Sequence, residues 1–394
     1  MRAMPAQVLY AARALTPLET IPNPAILIED GRISAIGPRG QFAIPRGAIE
    51  HDARDSTVVP GFVDIHIHGA GGQDVMEASD SALATVASTV AGAGTTSLVA
   101  TTVTASPDQT CRSLEGIARY IREPQNLRPR DGARAEVLGI HLEGPFISHA
   151  RRGVHPENEI AAPSLALLDR FLQAAGGAAR ILTLAPELPG ALDLVDRARK
   201  AGLVVALGHT DATYEQARAA IARGARHAVH VFNAMRPLSH RETGVLGAVL
   251  TEPEVSAEVI ADGVHVDAAA IRLLLASKGY ERILLVSDGT AATGMPDGAY
   301  RLGTFDVIVS GGVCRNRQGR LAGSTLTLDR AIRFMLRLGV PLQDAVCMAT
   351  INPARRLGLE QKKGILAPGA DSDLVLLNSS LEVAGVITRG VGLP

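Results

Sequence analysis

The chain has 394 residues, and its 39 lysines and arginines nearly balance its 40 aspartates and glutamates, giving a formal net charge of −1. That balance supplies no overall field to attract nucleic acid or an anionic membrane, and we expect neither as a partner. Hydrophobic residues make up 46% and charged residues 20%, which is ordinary for a folded protein and excludes a disordered chain. Aromatic residues are only 3%, with no tryptophan, so recognition should depend on charge, metal or hydrogen bonds.

Cysteine usage and the lack of targeting segments bear on the compartment. Cys111, Cys314 and Cys347 are far apart, which indicates neither a disulfide framework nor a thiolate zinc site. The N-terminus lacks the apolar core of a signal peptide, and no segment approaches ~18 unbroken apolar residues. We therefore expect a cytoplasmic protein.

The chain begins with a β-rich segment and then changes pattern. From Val8 to about Val59, short apolar runs are separated by turn residues, which predicts a small β domain. After Pro60-Gly61, β-rich runs alternate with helical segments, as is typical of βα units around a parallel sheet. Eight such runs predict an α/β fold of the (β/α)8 TIM barrel type. The runs are Val58–His68, Thr95–Thr102, Val137–Glu143, Ile181–Pro186, Val204–His209, Ala228–Phe232, Val255–Ala261 and Ile283–Asp288.

Helices are predicted between the runs, and the C-terminal segment returns to β patterning. The strands predicted over Asp373–Leu377 and Val383–Thr388 should rejoin the N-terminal β domain. The predicted helices are Ser81–Ala91, Leu165–Ala174, Leu192–Ala201, Tyr214–Ala222 and Ala268–Lys278.

Polar residues accumulate at the carboxyl ends of the predicted barrel strands, where barrel enzymes have their active sites. The residues are His66, His68, Glu143, His209, His230 and Asp288. A single residue of this kind at a strand end is more often a capping or hydrogen-bonded polar residue than a metal ligand, but the set as a whole predicts a metal site. No lysine lies at a strand end, so Glu143 should be the central carboxylate. Metal-assisted hydrolysis is the natural reaction class.

Eight motifs, taken in order, resemble the N-acetylglucosamine-6-phosphate deacetylases of the amidohydrolase superfamily. They are PGFVDIHIHG at 60–69, HLEGPF at 141–146, GHTDA at 208–212, HVFNAM at 230–235, DGVHV at 262–266, SDGT at 287–290, LAGSTLT at 321–327 and NPA at 352–354. The resemblance covers nearly the whole chain. It implies a barrel over residues 60–359 and a small β-sandwich domain made from residues 1–59 and 360–394.

The resemblance also implies roles for the residues at the barrel mouth. Glu143, His209 and His230 resemble the ligands of the principal metal, and Asp288 resembles the acid/base. His66 and His68 are the histidine form of a variable pair and permit a second ion. His155, which would otherwise read as a surface loop histidine, matches a residue that polarises the substrate carbonyl. The expected cofactor is one or two divalent ions per subunit, zinc first, with iron or manganese as alternatives.

For the substrate, the resemblance points to three further segments. Asn233 and Ala234 should bind it, and Arg241 and His265 should reach the phosphate of a neighbouring subunit's substrate, which implies a homodimer, with a tetramer left open. Without the resemblance, Arg241 reads as a solvated loop residue. The loop that resembles the acetyl pocket contains Leu321, Gly323 and Ser324, and Ser324 reads equally well as a helix cap.

The implied reaction is hydrolysis of the acetamide of N-acetylglucosamine 6-phosphate to glucosamine 6-phosphate and acetate, by metal-activated water with Asp288 moving the proton. Three alternatives stay open at this point. They are the galactosamine epimer of the substrate, a different amidohydrolase acting on acylamino acids or cyclic amides, and a non-catalytic barrel that binds a metabolite.

Overall fold

A computed structural model describes residues 5–127 and 132–392. The strands are β1 (Gln7–Leu15), β2 (Thr20–Pro22), β3 (Pro24–Glu29), β4 (Arg32–Pro38), β5 (Ile49–Pro60), β6 (Phe62–Ile67), β7 (Gly69–Ala70), β8 (Gln73–Asp74), β9 (Thr95–Thr102), β10 (Glu136–Glu143), β11 (Ala179–Leu184), β12 (Val204–Leu207), β13 (His227–Ala228), β14 (Ser256–Val259), β15 (Ile283–Leu285), β16 (Gly298–Leu302), β17 (Phe305–Ser310), β18 (Val313–Asn316), β19 (Leu374–Leu377) and β20 (Val383–Ile387).

The helices follow the same order. They are α1 (Asp80–Ala91), α2 (Pro107–Arg122), α3 (Pro124–Leu127), α4 (Leu165–Ala175), α5 (Ala191–Lys200), α6 (Tyr214–Ala222), α7 (Gly244–Thr251), α8 (Ala268–Lys278), α9 (Leu328–Arg337), α10 (Leu342–Ala349) and α11 (Ile351–Arg356), with single 3₁₀ turns at Val75–Glu77, His149–Arg151, Glu157–Glu159 and Tyr280–Arg282. Among the described residues, no helix has both the length and the apolar character needed to cross a membrane.

Both chain ends meet in one mixed sheet, in the order β20-β19-β5-β1-β3-β4, with β2 paired to β1. Strand β1 runs parallel to β5 and antiparallel to β3, and β19 runs antiparallel to β5. Apolar side chains from both ends, including Leu9, Ile26 and Leu374, share one core beneath this sheet. The expectation that the C-terminal strands rejoin the N-terminal ones is confirmed, while the domain limits at 59/60 and 359/360 stay a prediction.

Eight parallel strands form the barrel, in the order β6-β9-β10-β11-β12-β13-β14-β15. The gap between β15 and β6 is bridged just beyond the strand ends, where Asp288 N donates to His66 O at 2.9 Å and His68 N donates to Gly289 O at 2.7 Å. Every residue of β6 and β9 is buried, as expected for strands covered on both faces. The predicted (β/α)8 barrel is confirmed.

One predicted barrel strand needs correction. The run Val58–His68 is two strands, because β5 belongs to the terminal sheet and ends at Pro60, and β6 starts the barrel at Phe62. Between them, Gly61 N donates to Asp373 O at 2.8 Å, and a Cβ at Gly61 would lie 2.1 Å from Thr96 Oγ1. Pro60 and Gly61 thus turn the chain from one sheet into the other, and at Gly61 there is no room for a side chain.

The five predicted helices are present within a few residues, but other elements were not predicted. Helix α2 begins at Pro107 after the cap Ser106, whose Oγ accepts from Gln109 N at 3.3 Å. Ser followed by Pro is a helix-start signal that the sequence offered. The antiparallel sheet β16-β17-β18 was also missed. Gly303 N donates to Asp74 Oδ2 at 2.7 Å, which ties this insertion to the end of the first barrel strand.

Candidate metal centre and active site

The predicted ligands come together at the carboxyl ends of five barrel strands. Glu143 is the last residue of β10, and the others sit at or just beyond the ends of their strands. His209, His230 and Asp288 have φ values of +47°, +27° and +49°, in the left-handed region that non-glycine residues rarely occupy. Strained backbone of this kind costs free energy and concentrates at functional sites, where surrounding structure holds it. Here the turns aim three side chains from different strands at one point.

Glu143 is the centre of the cluster, and both of its carboxylate oxygens face histidine nitrogens. Oε1 lies 3.0 Å from His230 Nε2, 3.2 Å from His209 Nε2 and 3.3 Å from His66 Nε2. Oε2 lies 3.3 Å from His68 Nε2 and 3.5 Å from His155 Nε2. All six side chains are buried. One carboxylate therefore has two groups of ligand atoms, one at each oxygen.

Asp288 completes the second group. Its Oδ1 lies 3.1 Å from His68 Nε2 and 3.7 Å from His66 Nε2. Three overlapping sets of buried side chains therefore bring their ligand atoms within 4.8 Å of one another. The sets are His66 with His68 and Asp288, His66 with Glu143 and His230, and Glu143 with His155 and His209.

This donor set fits divalent metal. His66 Nε2 is buried and has no hydrogen-bond partner among the described residues, and the Nε2 atoms of His209 and His230 face each other at 3.2 Å. Imidazole nitrogens and carboxylates are ligands that zinc, iron and manganese accept. Further contacts orient the rings, since His68 Nδ1 lies 3.0 Å from Thr101 O and His209 Nδ1 lies 3.0 Å from Arg151 O. A ring that donates from Nδ1 keeps its Nε2 lone pair for a metal.

The charges of the cluster favour ionised carboxylates. Burial raises the pKa of Asp288, but the hydrogen bond from His68 and the charges of the nearby imidazoles outweigh burial and lower it. Burial also opposes ionisation of Glu143, and His66 and His209 hold its pKa well below the ordinary value. Asp288 is therefore a carboxylate able to accept a proton.

His155, unlike these carboxylates, is uncharged. Burial, and then the charge of His209, lower its pKa to about 4, so its ring is neutral. Thr104 N donates to its Nδ1 at 3.2 Å, and this backbone group is a donor only. The proton of the neutral ring is therefore on Nε2, which faces Glu143 and the cavity. His155 can donate a hydrogen bond to a bound molecule.

A cavity of about 190 Å³ opens over the cluster, and most of the predicted substrate residues form its wall. Asn233, Ala234, His265, Leu321 and Gly323 all line it. Gly323 has φ +56°, and a Cβ there would lie 2.6 Å from Thr290 Cγ2 and 2.9 Å from Asp288 O. Sequence reasoning missed three apolar wall residues, Val103, Val154 and Leu302, of which Leu302 comes from the unpredicted insertion.

Two of the predicted substrate residues, Ser324 and Arg241, are not in that wall. Ser324 is buried behind it, where its Oγ donates to Ser287 O at 2.5 Å and accepts from Leu326 N at 2.8 Å. Ser324 is thus a buried turn residue and not the helix cap that the sequence offered as the alternative, since the N-cap of α9 is Thr327. Arg241 is exposed in the loop after β13, the sixth strand of the barrel. His265 lines the cavity of its own chain, with Nδ1 2.7 Å from Asp262 Oδ2.

Two buried residues next to the cluster, Glu258 and His227, were not predicted. Glu258 on β14 contacts His66 Nδ1 and His227 Nε2, each at 2.8 Å. A signal was available, since Glu258 is an acidic residue in an otherwise apolar strand, and a buried charge requires partners.

Comparisons with known proteins agree with this geometry. The sequence matches the amidohydrolase family over residues 57–392, and the chain belongs to that family. An N-acetylgalactosamine-6-phosphate deacetylase from Escherichia coli O157:H7 is 39% identical over 97% of this chain and 98% of its own. An N-acetylglucosamine-6-phosphate deacetylase from Vibrio furnissii is also 39% identical, over 92% of this chain and 88% of its own.

A solved structure is similar throughout. It is a mutant N-acetyl-D-glucosamine-6-phosphate deacetylase from Mycobacterium smegmatis in complex with N-acetyl-D-glucosamine-6-phosphate. It superposes with a TM-score of 0.91 at 39% identity, covering 99% of this chain and 100% of the other.

Proposed function

We propose that this protein is a metal-dependent deacetylase that hydrolyses the acetamide of N-acetylglucosamine 6-phosphate to glucosamine 6-phosphate and acetate. The observation that carries the proposal is the buried cluster around Glu143, with the carboxylate of Asp288 beside it and the cavity above it. A non-catalytic barrel has no need of such a cluster at the base of its cavity.

For the cofactor, we propose two divalent ions per subunit, zinc first and iron or manganese as alternatives. Glu143, His209 and His230 would hold the principal ion, and His66 and His68 the second. His209 and His230 at Oε1 and His68 at Oε2 support this division, and His66, which lies near Oε1, also shares a set of ligand atoms with His68 and Asp288. Such ions lower the pKa of water and polarise a carbonyl group.

The protein's own residues supply the proton transfers and orient the amide. Asp288 accepts a proton from the attacking water and later delivers it to the leaving amine, as its buried carboxylate at the base of the cavity allows. His155 donates from Nε2 to the acetamide oxygen, and its neutral ring fits that role because it has a proton to give and carries no charge that opposes bound metal.

Recognition of the phosphate would involve residues of the cavity wall and one residue that lies outside the wall. Asn233 and Ala234 contact the sugar phosphate, and His265 does so from the same chain, since it lies in the wall of its own cavity. Arg241 is exposed and outside that wall, in the position expected of a residue that serves a neighbouring subunit in a homodimer. A cytoplasmic location is part of the proposal and agrees with cysteines that form no disulfide within the described residues.

The galactosamine epimer is the second candidate substrate, because a relative named for it is as similar as one named for the gluco epimer. Initial rates of amine release from N-acetylglucosamine 6-phosphate, N-acetylgalactosamine 6-phosphate and unphosphorylated N-acetylglucosamine test the proposal. We expect the highest kcat/KM for the first. A higher value for the galacto epimer would reassign the substrate, and no turnover of any of the three by metal-replete protein would contradict the deacetylase proposal.

A further inference from the structure

A buried carboxylate lies on the side of His66 that faces away from the proposed metal ions. Glu258, on β14, is fully buried in the barrel interior, where a carboxylate without partners would cost several kcal/mol. Three donors surround it. His227 Nε2 lies 2.8 Å from Oε1, and His66 Nδ1 and the backbone N of His230 lie 2.8 Å and 3.2 Å from Oε2.

These contacts determine which nitrogen of His66 carries the proton. The backbone N–H of His230 is a donor only, so Oε2 of Glu258 acts as an acceptor toward both of its neighbours. His66 therefore donates from Nδ1, and the lone pair of the neutral ring is on Nε2. That nitrogen is buried, lies 3.3 Å from Glu143 Oε1 and 3.7 Å from Asp288 Oδ1, and has no hydrogen-bond partner.

The other side of Glu258 is satisfied without involving the cluster. His227 Nδ1 lies 2.7 Å from Ser256 Oγ, so Ser256, His227 and Glu258 form a chain of hydrogen bonds that ends at His66. All four side chains are buried. The carboxylate is thereby held between two rings, and its geometry toward His66 does not depend on solvent.

His66 differs in this respect from its neighbours in the cluster. The rings of His68 and His209 have backbone carbonyl oxygens at Nδ1, which are neutral acceptors. A carboxylate at Nδ1 fixes the ring more firmly and donates more electron density through it to the metal-binding nitrogen. Within the described residues, His66 is the cluster histidine whose Nδ1 has a carboxylate partner.

We propose that Glu258 is a positioning residue for the second metal ion. It holds His66 with Nε2 directed at Glu143 and Asp288, and it increases the affinity of the ion bound there. The principal ion depends on it less, because Glu258 meets the backbone N of His230 and not the ring of that ligand. The inference rests on the proposed two-ion function. Glu258 itself would touch neither substrate nor metal.

The test compares metal binding by the wild type, Glu258→Gln and the control Glu254→Gln. Glutamine keeps the shape and can still accept from His66, so it removes mainly the charge. Glu254 lies four residues away but is exposed, with its carboxylate against Arg226. Each purified protein is loaded with zinc and titrated with a chelator, with bound zinc per subunit measured by mass spectrometry and folding checked by Tm.

We expect Glu258→Gln to weaken the second ion by about 10- to 100-fold, the usual effect of removing an outer hydrogen-bond partner of a ligand, with the first ion and Tm little changed. In a His66→Asn background, the same Glu258→Gln change should have no further effect on zinc binding. Should Glu258→Gln fail to fold, Glu258→Asp withdraws the carboxylate from His66 and should give the same selective loss.

Unchanged zinc binding by a folded Glu258 variant, or equal weakening of both ions, would overturn the positioning role. These results leave the proposed function standing if the wild type holds two ions. A wild type that never holds more than one ion would contradict both the two-ion site and the role of Glu258.

Discussion

The Nε2 atoms of His209 and His230 lie 3.2 Å apart, and each is within 3.2 Å of the same oxygen of Glu143. Two imidazole nitrogens share at most one proton, so a cation between them and the carboxylate satisfies this arrangement better than hydrogen bonds alone. The distances connect the turns after β12 and β13, with their left-handed backbone, to the metal chemistry of the amidohydrolase family.

Replacing a ligand of the principal ion should weaken the binding of that ion and abolish turnover. We expect His230→Asn to weaken that ion by about 100-fold or more, since loss of a ligand exceeds loss of an outer partner. Bound metal per subunit and amine release are measured on the same preparation. His149→Asn, an exposed histidine, is the control and should change neither. A His230 variant with full metal content and full turnover would remove this residue from the site.

Asp288→Asn should leave the protein folded and lower kcat by about 10²–10⁴-fold, the range that proton transfer by a positioned side chain contributes. The amide keeps the shape of the carboxylate but accepts no proton. Tm and zinc content measured alongside kcat separate loss of chemistry from loss of structure. Near wild-type kcat in the variant would rule out Asp288 as the acid/base.

Arg241→Ala should raise KM for the phosphorylated substrate and leave kcat nearly unchanged, because the side chain is expected to bind the phosphate in both ground and transition states. Steady-state kinetics with phosphorylated and unphosphorylated sugar measure this, with Arg112→Ala, another exposed arginine, as control. The proposed homodimer should be visible by light scattering. An unchanged KM would contradict the role given to Arg241.

The Asp262–His265 pair should make phosphate binding depend on pH. Burial lowers the pKa of His265, but Asp262 outweighs it and raises the pKa above 6.5, while the pKa of Asp262 lies below 3.8. The stabilisation from the pair is therefore present between these limits. It is lost as pH rises through the raised pKa of His265 or falls through the lowered pKa of Asp262.

In Asp262→Asn, loss of the larger raising cause should lower the pKa of His265, since burial then opposes only the weaker effects of Asp288 and Gly323. We expect the ratio of variant to wild-type KM to exceed one above about pH 6.5 and to shrink toward about pH 5.5, where the ring of the variant regains its proton. Taking the ratio at each pH cancels the ionisation of the substrate phosphate. A ratio that does not change with pH would contradict the prediction.

Lys363 should be important for stability rather than chemistry. Its buried Nζ lies 2.6 Å from Glu136 of β10 and 2.9 Å from both Asp371 and Asp373 beside the terminal sheet. Lys363→Met leaves these carboxylates short of a partner, and we expect a loss of ~3–5 kcal/mol in the free energy of unfolding.

Urea unfolding measures this loss, and the adjacent exposed Lys362→Met is the matched control, expected within ~0.5 kcal/mol of the wild type. Equal stability of the two variants would show that the buried cluster does not join the barrel to the terminal sheet energetically.

Much of the fold follows from local patterns in the sequence. Strand β9 is rich in threonine and apolar residues, which favour β structure, and the histidines at the end of β6 mark the barrel mouth. What the sequence did not predict depends on contacts between distant segments. In the insertion β16–β18 one face is buried, and its place over the mouth depends on contacts with distant segments, such as Gly303 N with Asp74 Oδ2 and Phe305 with the apolar cluster around Val103.

The candidate site shows the same division. Residue types and strand ends identified Glu143 and Asp288, but the partnership of Glu258 with His66 joins residues 192 positions apart. Likewise, sequence alone could not decide whether Ser324 lines the pocket or supports it, since either role needs a hydroxyl at that position. Only the direction of its side chain toward Ser287 O separates the two.

The most direct test of the central claim is the stoichiometry of products from N-acetylglucosamine 6-phosphate, with and without metal. Acetate and free amine are quantified after incubation with zinc-loaded protein, chelator-treated protein, and treated protein to which zinc has been restored. We expect equal amounts of acetate and amine from the first, background from the second and recovery in the third. Undiminished release by metal-free protein, or none by zinc-loaded protein, would contradict a metal-dependent deacetylase.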